Sequence, residues 1–462
     1  MTTVPRPQAG PELPVHGTGR VAFELRALVR LAVPLALTQL GQIAINTTDL
    51  VMMGWLGTEA LAAGGLAMSV WILPALLGIG LASATTPLVA QALAARRARQ
   101  VRRSVRQGLW VVFACTVPAA IALAHLAPVL ELLGQTPETS RAAAAYLAAA
   151  APGLPFAAAI VVLRSFAASF GHTRAILVIM AVAIVVNALS NALLMFGHFG
   201  LPRLELVGAG LSSSLVNIAS FVAMGWIVAR RSPYRRYRVF ARLWRPDWPT
   251  FLAVLRLGWP IGLTLLFEVG MFSAAGILMG TLGAVPLAAH NVAMQLCSIV
   301  FMVPLGLSQA ATLRIALAAG RGDRAGVRLI GRLAIGLTVV VMLASATAFV
   351  TIPDVLIAPF LDDPAAQAPL VALASRLLLV AAMFQVVDGL QVVVGGLLRG
   401  LKDTTVPMLF ALLGYWVVGF GSATVGLLLL DLGPLVVWTG LAFGLATTAT
   451  FGLVRFARLS RR

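Results

Sequence analysis

The chain is poor in the residues from which soluble enzymes and disulfide-bonded secreted domains are built. Its two cysteines, Cys115 and Cys297, give neither a disulfide framework nor a metal-ligand spacing. Both fall inside apolar runs, where a thiol packs as a small hydrophobe. The five histidines (His16, His125, His172, His198 and His290) form no ligand cluster and sit mostly where tails, loops or helix ends are expected. No nucleophile stands in a known catalytic spacing with a base, so the sequence offers no enzyme site. Residues 1–20 are Pro-rich and polar and lack the apolar stretch of a cleavable signal. Charge is scarce at 11% of residues, and acid scarcest, with 16 Asp+Glu against 34 Lys+Arg.

What is plentiful is hydrocarbon. Of 462 residues 60% are hydrophobic, and the mean hydropathy is +0.95, which excludes a soluble multidomain protein. Apolar runs of spanning length fall at 28–54, 60–93, 107–130, 141–170, 175–197, 206–229, 250–282, 286–313, 333–352, 368–398, 405–430 and 434–454. The expectation is an all-α polytopic membrane protein with twelve transmembrane helices. The net charge of +18 could suggest nucleic acid, but its placement argues otherwise. All basic residues except Arg141, Arg164, Arg203 and Arg376 fall in the N-tail through Arg30, in 96–106, 171–174, 230–256, 314–332 and 399–402, or from Arg455 onward. Those segments share one side of a twelve-span chain. Glu59, Glu131, Glu138, Glu205, Asp354, Asp362, Asp363 and Asp431 share the other. The positive-inside rule puts both termini in the cytoplasm, and no aromatic-interleaved basic domain supports nucleic-acid binding.

The chain is also duplicated. Shifted by 226 positions, Arg30, Pro34, Thr38, Met53, Gly54 and Gly57 fall on Arg256, Pro260, Thr264, Met279, Gly280 and Gly283. The register persists through Gly80, Leu81, Ala84 and Thr86 onto Gly306, Leu307, Ala310 and Thr312. Six spans per half is an even number, so the halves are parallel repeats about an axis along the membrane normal, with a central cavity and a site near mid-depth between them. The expected organisation is a cytoplasmic tail 1–27, an N-lobe 28–230 (helices 1–6), a basic linker 231–249 on anionic headgroups, a C-lobe 250–456 (helices 7–12) and a tail 457–462.

Against this apolar background a few polar residues stand out. A charge in hydrocarbon costs about 2.5–3.5 kcal/mol on insertion scales, so an intramembrane acid faces a cavity and marks a functional site by default. Glu268 is about 18 Å along a helix from Arg256, and Asp388 about 16 Å from Arg399, which places both near the middle of a ~30 Å core at one depth. Two carboxylates at one level can hold Na⁺ through hard oxygen ligands or share a proton. Asp49 lies about 28 Å from Arg30, near the outer edge of the other half, where Asn187 and Asn191, four residues apart on one helix face, can hydrogen-bond it. The alternatives are that Asp49 snorkels to the interface and that the asparagines only glue helices together. Gln42 falls opposite Glu268 in the repeat register. Arg164, deep in the fourth span, reads as a snorkelling or helix-pairing residue.

The segments LAAGGLAMSVWILPALLGIGLASATTPLVAQALAARR (61–97), LAAHNVAMQLCSIVFMVPLGLSQAATLRIALAAGRGD (287–323) and DGLQVVVGGLLRGLKDTTVPM (388–408), together with Pro34, Asp49 and Glu268, resemble the multidrug and toxic compound extrusion family, and its NorM-type branch in particular. The resemblance covers nearly the whole chain. It implies a monomeric exporter in the cell inner membrane that exchanges Na⁺ or H⁺ for small organic, often cationic, compounds without a cofactor. It implies that Glu268 and Asp388 take the coupling cation, with Phe384 one turn before Asp388. Asp49, Asn187, Asn191 and Gln42 would form a proton or substrate site in the N-lobe. Phe384 departs from the tyrosine that related proteins can carry there, keeping a π face but losing a hydroxyl. A lipid-linked saccharide flippase of the wider superfamily is the alternative, with only Arg164 and Arg376 as candidate cavity cations. A membrane-embedded enzyme is the third reading, disfavoured by the missing catalytic constellation.

Overall fold

Residues 18–200, 202–361 and 367–461 are described by the structure, a computed structural model. His16, Asp362, Asp363 and most of the expected N-tail therefore lie outside the described residues. Twelve helices are long and apolar enough to cross a membrane: α1 (Gly19–Leu56), α2 (Thr58–Ala94), α3 (Ala98–Ala124), α4 (Pro137–Ala168), α5 (Arg174–Phe196), α6 (Glu205–Arg230), α7 (Trp248–Thr281), α8 (Ala284–Gly320), α9 (Arg324–Thr351), α10 (Ala368–Gly400), α11 (Thr405–Leu428) and α12 (Leu435–Arg461). Helices are what lipid demands, because each backbone N–H and C=O must be satisfied within its own segment.

Several helices outrun the apolar runs that announce them. α1 starts at Gly19 within the stretch expected to be tail, α3 and α9 start nine residues early, and α12 continues to Arg461. Their added turns carry Arg99, Arg102, Arg103, Arg324 and Arg328, which protrude beyond the lipid where a helix needs no hydropathy. The run at 107–130 is split instead, since α3 ends at Ala124 and a short helix, Ala127–Leu132, restarts with Pro128 in its first turn. α4 contains a single 3₁₀ turn at Ala151–Gly153, beside Pro152 and Pro155. α11 is wound as a π-helix over Leu412–Phe420.

The duplication is visible in the packing. Across the halves α1 packs on α8 and α2 on α7, two contacts that exchange under the 226-residue shift. A Cβ on Gly80 would sit 2.3 Å from the Cα of Gly262, and one on Gly306 would sit 2.7 Å from the Cα of Ala36. Gly80 maps onto Gly306 and Ala36 onto Gly262, so one backbone-to-backbone crossing is made twice. Small residues at such crossings let helices approach where there is no hydrophobic effect to drive them together. Within each half the first helix carries a proline whose carbonyl accepts the hydroxyl of the threonine four residues on, Thr38 to Pro34 and Thr264 to Pro260, both at 2.8 Å.

Both crossings lie toward the arginine-rich face. There a single apolar core draws on both halves, from Leu28, Leu31, Leu81 and Val89 to Val254, Ile261, Leu307 and Ile315. Toward the opposite face the core divides, one cluster built from the C-half (Met271, Phe384, Trp438) and another from the N-half (Met53, Tyr146, Leu154). The halves are thus joined at one end and separate toward the other. Polar contacts reinforce the joined end: Arg314 of α8 donates from Nε to Glu24 of α1 at 3.1 Å and lies over the Phe23 ring. Arg20 pairs with Asp323, and Gln91 Nε2 donates to the Gly400 carbonyl at 3.0 Å.

The basic linker is strapped to the N-half. Arg106, Trp110 and Gln107 of α3 donate to the carbonyls of Arg242, Leu243 and Arg245 at 3.0, 2.8 and 3.3 Å. Tyr234 and Tyr237 stack against Phe166 and Phe170. Asp247 closes the strap by capping α7, accepting from the Thr250 amide at 3.2 Å, and by pairing with Arg103.

Glu24 is 2% exposed, so the ion pair to Arg314 is a buried one. Removing one partner of a buried pair costs about 3–5 kcal/mol, enough to shift a balance between conformations. Glu24→Gln is expected to open the arginine-rich face, seen as a population of longer distances between spin labels at positions 99 and 332 in a Cys115- and Cys297-free background. The exchange Glu24→Arg with Arg314→Glu is expected to restore the short distance. An unchanged distribution in Glu24→Gln would show that the pair does not hold this face shut.

Candidate functional site

Two buried polar clusters are built into the helices, one in each half. In the C-half, α7 supplies Glu268, α10 supplies Asp388 and Gln391 one turn apart, and α11 supplies Tyr415 from the middle of its π-helical stretch. Gln391 joins them. Its Nε2 donates to Glu268 Oε1 at 3.1 Å and to Asp388 Oδ1 at 3.2 Å, while its Oε1 accepts from the Tyr415 hydroxyl at 2.7 Å. This network fixes the amide's orientation, since donors must face the carboxylates and the acceptor must face the phenol. Glu268 and Asp388 are 8% and 6% exposed, so both acids sit at one depth in a nearly dry pocket around a shared donor. Such a pair can share one proton or hold one monovalent cation between them, and it titrates as a unit.

The side of the pair away from the arginine-rich face is closed by aromatics. Phe384 is buried, its ring centroid 6.0 Å from Phe272 and 5.6 Å from Trp438. Trp438 Nε1 in turn donates to His290 Nδ1 at 3.1 Å. Phe384 therefore belongs to an aromatic cap, and its ring contacts are to other rings.

In the N-half, α1 supplies Asp49, α5 supplies Asn187 and Asn191, and α6 supplies Ser213. The Asp49 carboxylate accepts from Asn191 Nδ2 at 2.6 Å and Asn187 Nδ2 at 2.9 Å on Oδ1, and from Ser213 Oγ at 3.4 Å on Oδ2. Asp49 is 4% exposed and does not snorkel. The Oδ1 atoms of both asparagines are buried without a hydrogen-bond partner among the described residues. A buried acceptor left unmade costs about 1–3 kcal/mol, so two of them beside a carboxylate form a ready cradle for a water or a small cation.

The structure thus brings Asp49, Asn187 and Asn191 together, and Glu268 with Asp388. Gln42 lies outside both hydrogen-bonded clusters. It is exposed on α1, two turns from Asp49, and its Nε2 reaches Asn46 Oδ1 at 3.4 Å. Arg164 is half-buried with its Nε unpartnered, and Arg376 is exposed. Sequence reasoning missed Gln391, Tyr415 and Ser213. Gln391 carried a usable signal, lying three residues after an intramembrane acid and so on its face of the helix. Tyr415 and Ser213 carried none.

The sequence model of the MatE family matches residues 34–193 and 260–425, one segment per half. The chain is 43% identical over 443 residues to a probable multidrug resistance protein NorM of Mesorhizobium japonicum, covering 95% of this chain and 94% of that protein. A protein of the same description from Rhodopseudomonas palustris is 44% identical over 438 residues, with 95% and 92% covered. Among solved structures, the Vibrio cholerae MATE transporter VcmN in its bent form superposes with a TM-score of 0.85 at 16% identity, covering 96% of this chain and 98% of that one. The eukaryotic MATE transporter AtDTX14 superposes at 0.84 with 18% identity, covering 96% and 99%.

The N-half cluster makes a stability prediction. Replacing Asn187 and Asn191 together by leucine removes two of the three donors to a buried carboxylate, which is expected to destabilise the protein by about 1–3 kcal/mol per lost bond. The melting temperature of the detergent-solubilised protein should fall for each single variant and further for the double one. Restoring it with a third change, Asp49→Leu, would show that the cost is the stranded carboxylate; unchanged melting in the double variant would mean that the cluster does not form.

Proposed function

The chain belongs to the MatE family of membrane transporters, and on that premise we propose that it is a cation-coupled antiporter exporting organic, chiefly cationic, compounds. The observation that carries this reading is the carboxylate pair. Glu268 and Asp388 reach from different helices to one amide nitrogen, Gln391 Nε2, in a buried pocket, an arrangement that gains from binding a cation and needs none to hold its backbone together. The coupling cation, Na⁺ or H⁺, is taken up there. Asp49 with Asn187 and Asn191 forms the second site, in the N-lobe, where protonation changes which hydrogen bonds the carboxylate keeps.

Alternating access follows from the packing. The lobes, 28–230 and 250–456, meet at the arginine-rich end through two equivalent crossings, so rocking about these closes one mouth as the other opens. The positive-inside rule sets the arginine-rich face, with both termini, in the cytoplasm, the usual arrangement for a protein of the cell inner membrane. The linker strapped to α3 stays with the N-lobe during the motion. The protein works as a monomer with each site complete within one chain. A saccharide flippase is less well supported, since Arg376 is exposed and Arg164 alone leaves the cavity too little positive charge for a phosphorylated lipid.

The coupling has a required sign. Drug binds the form with Asp49 ionised, and protons from outside release it, because a ligand moves an equilibrium only by its differential affinity for the two states.

Two outcomes test the reading. Glu268→Gln and Asp388→Asn are each expected to abolish ion-driven drug export in proteoliposomes while leaving expression and insertion unchanged, since a neutral amide is easier to bury than a charge. Wild-type export by either variant at normal expression would overturn the role of the pair. Asp49→Asn is expected to weaken binding of a cationic drug and to remove most of its dependence on pH. Titration of drug affinity between pH 5.5 and 8 in both proteins measures this, and identical curves would exclude Asp49 from coupling.

A further inference from the structure

The carboxylate pair has unlike surroundings on its two sides. Outward from it stands the aromatic cap of Phe272, Phe384 and Trp438, with the Trp438 indole hydrogen-bonded to His290. Inward lies a cavity that touches Gln391 and Tyr415 and runs past Thr264, Arg399 and Thr448 to Thr404, beyond the end of α10 on the arginine-rich face. It has room for water-sized occupants and is too small for an organic substrate. Its polar lining is suited to water. The Thr264 and Thr448 hydroxyls donate to backbone carbonyls, Pro260 at 2.8 Å and Gly444 at 3.1 Å, and so turn lone pairs to the space. The Arg399 guanidinium folds back one turn toward Gln391, its Nη2 only 3.4 Å from where a Cβ on Gly395 would stand. Glycine at 395 leaves it that space.

Gln391 and Tyr415, which both line this cavity, are joined by a hydrogen bond from Tyr415 Oη to Gln391 Oε1, and the same Gln391 donates to both carboxylates. Tyr415 is held by the π-helical stretch of α11, a winding that is rare and is found frequently at functional sites. That stretch has a close seat: a Cβ on Gly444 of α12 would stand 2.5 Å from the Gly414 carbonyl oxygen and 2.7 Å from the Gly419 Cα. A change of winding in α11 would move the Tyr415 side chain without moving α7 or α10.

We propose that this cavity is an internal water branch through which the Glu268–Asp388 pair exchanges protons with the arginine-rich face, and that the Tyr415–Gln391 hydrogen bond is its barrier. The inference rests on the reading that the pair carries the coupling cation. A proton leaves a carboxyl oxygen for a cavity water and passes along water to the arginine-rich face; Gln391 and Tyr415 exchange no net proton and act as positioning residues. With the bond made, the branch is shut and the outward-splayed conformation does not leak. The titratable and charged groups around the route are Asp388 and Arg399 on α10, Glu268 on α7, Tyr415 on α11 and Cys297 on α8, the last receiving Gln385 Nε2 at 3.9 Å. At its mouth Asp403 is paired with Arg455 of α12 at 2.8 Å.

The test uses the full-length protein in oriented proteoliposomes that enclose a pH-sensitive dye. Tyr415→Phe removes the barrier's hydroxyl and keeps its ring, and is expected to raise drug-independent proton entry at least tenfold. In a background of Cys115→Ser and Cys297→Ala, Thr448→Cys is expected to react with a small cationic methanethiosulfonate applied to the arginine-rich face and not with one applied to the other. Absence of the leak in folded Tyr415→Phe, or labelling of Thr448→Cys only from the opposite face or from neither, overturns the branch. Glu268→Gln in the same vesicles separates the two readings. If it abolishes coupling while Tyr415→Phe shows no leak, the pair keeps its role and the branch falls; if Glu268→Gln remains coupled, both fall.

Discussion

The architecture depends on the close approach of backbones at two equivalent crossings, Gly80 on Gly262 and Gly306 on Ala36. In lipid there is no hydrophobic effect to pull helices together, and contact comes from packing at short range. The crossings sit toward one face, so the halves are bound there and free to part toward the other. The buried pair of Glu24 with Arg314 lies at the same end and adds a polar contact that can be made or broken as a unit. A joint confined to one end is a place about which two bodies can rock, where an extended packed interface would give a rigid block.

Upon that frame the two halves have diverged. Each keeps the proline and threonine of its first helix, but the buried acid stands at different depths: Asp49 near the outer edge of the N-half, Glu268 in the middle of the C-half. The repeat register alone would have put Gln42 at Glu268's counterpart position in a matching site. The structure leaves it exposed beside Asn46, because backbone equivalence carries over the helix and not the neighbours that would bury its side chain.

The parts legible in the sequence were those with a one-dimensional signature. Spanning length fixes the helix count, and offset matches reveal the duplication. Asp49 could be paired with Asn187 and Asn191 because an i, i+4 spacing puts two amides on one face, and Glu268 matched with Asp388 because each is a fixed number of residues from an arginine. Helix ends were misplaced by up to nine residues where they leave the lipid, since hydropathy measures only the buried length. Gln391 and Tyr415 escaped because an amide or a phenol in an apolar run is cheap enough to read as packing. The π-helical register of α11 has no hydropathy signature at all, and the aromatic role of Phe384 depends on rings from α7 and α12.

If drug and coupling cation compete for the ionised carboxylates, Asp49 in one half and the Glu268–Asp388 pair in the other, drug binding must expel the cation without any membrane or gradient. The direct measurement adds a cationic drug to detergent-solubilised protein in unbuffered solution and records released protons with an indicator dye, and released Na⁺ from protein preloaded with the radioisotope. The account expects release of one or the other in proportion to drug bound, and none from the triple variant Asp49→Asn, Glu268→Gln and Asp388→Asn. Drug binding to the wild-type protein with no release of either ion would contradict it.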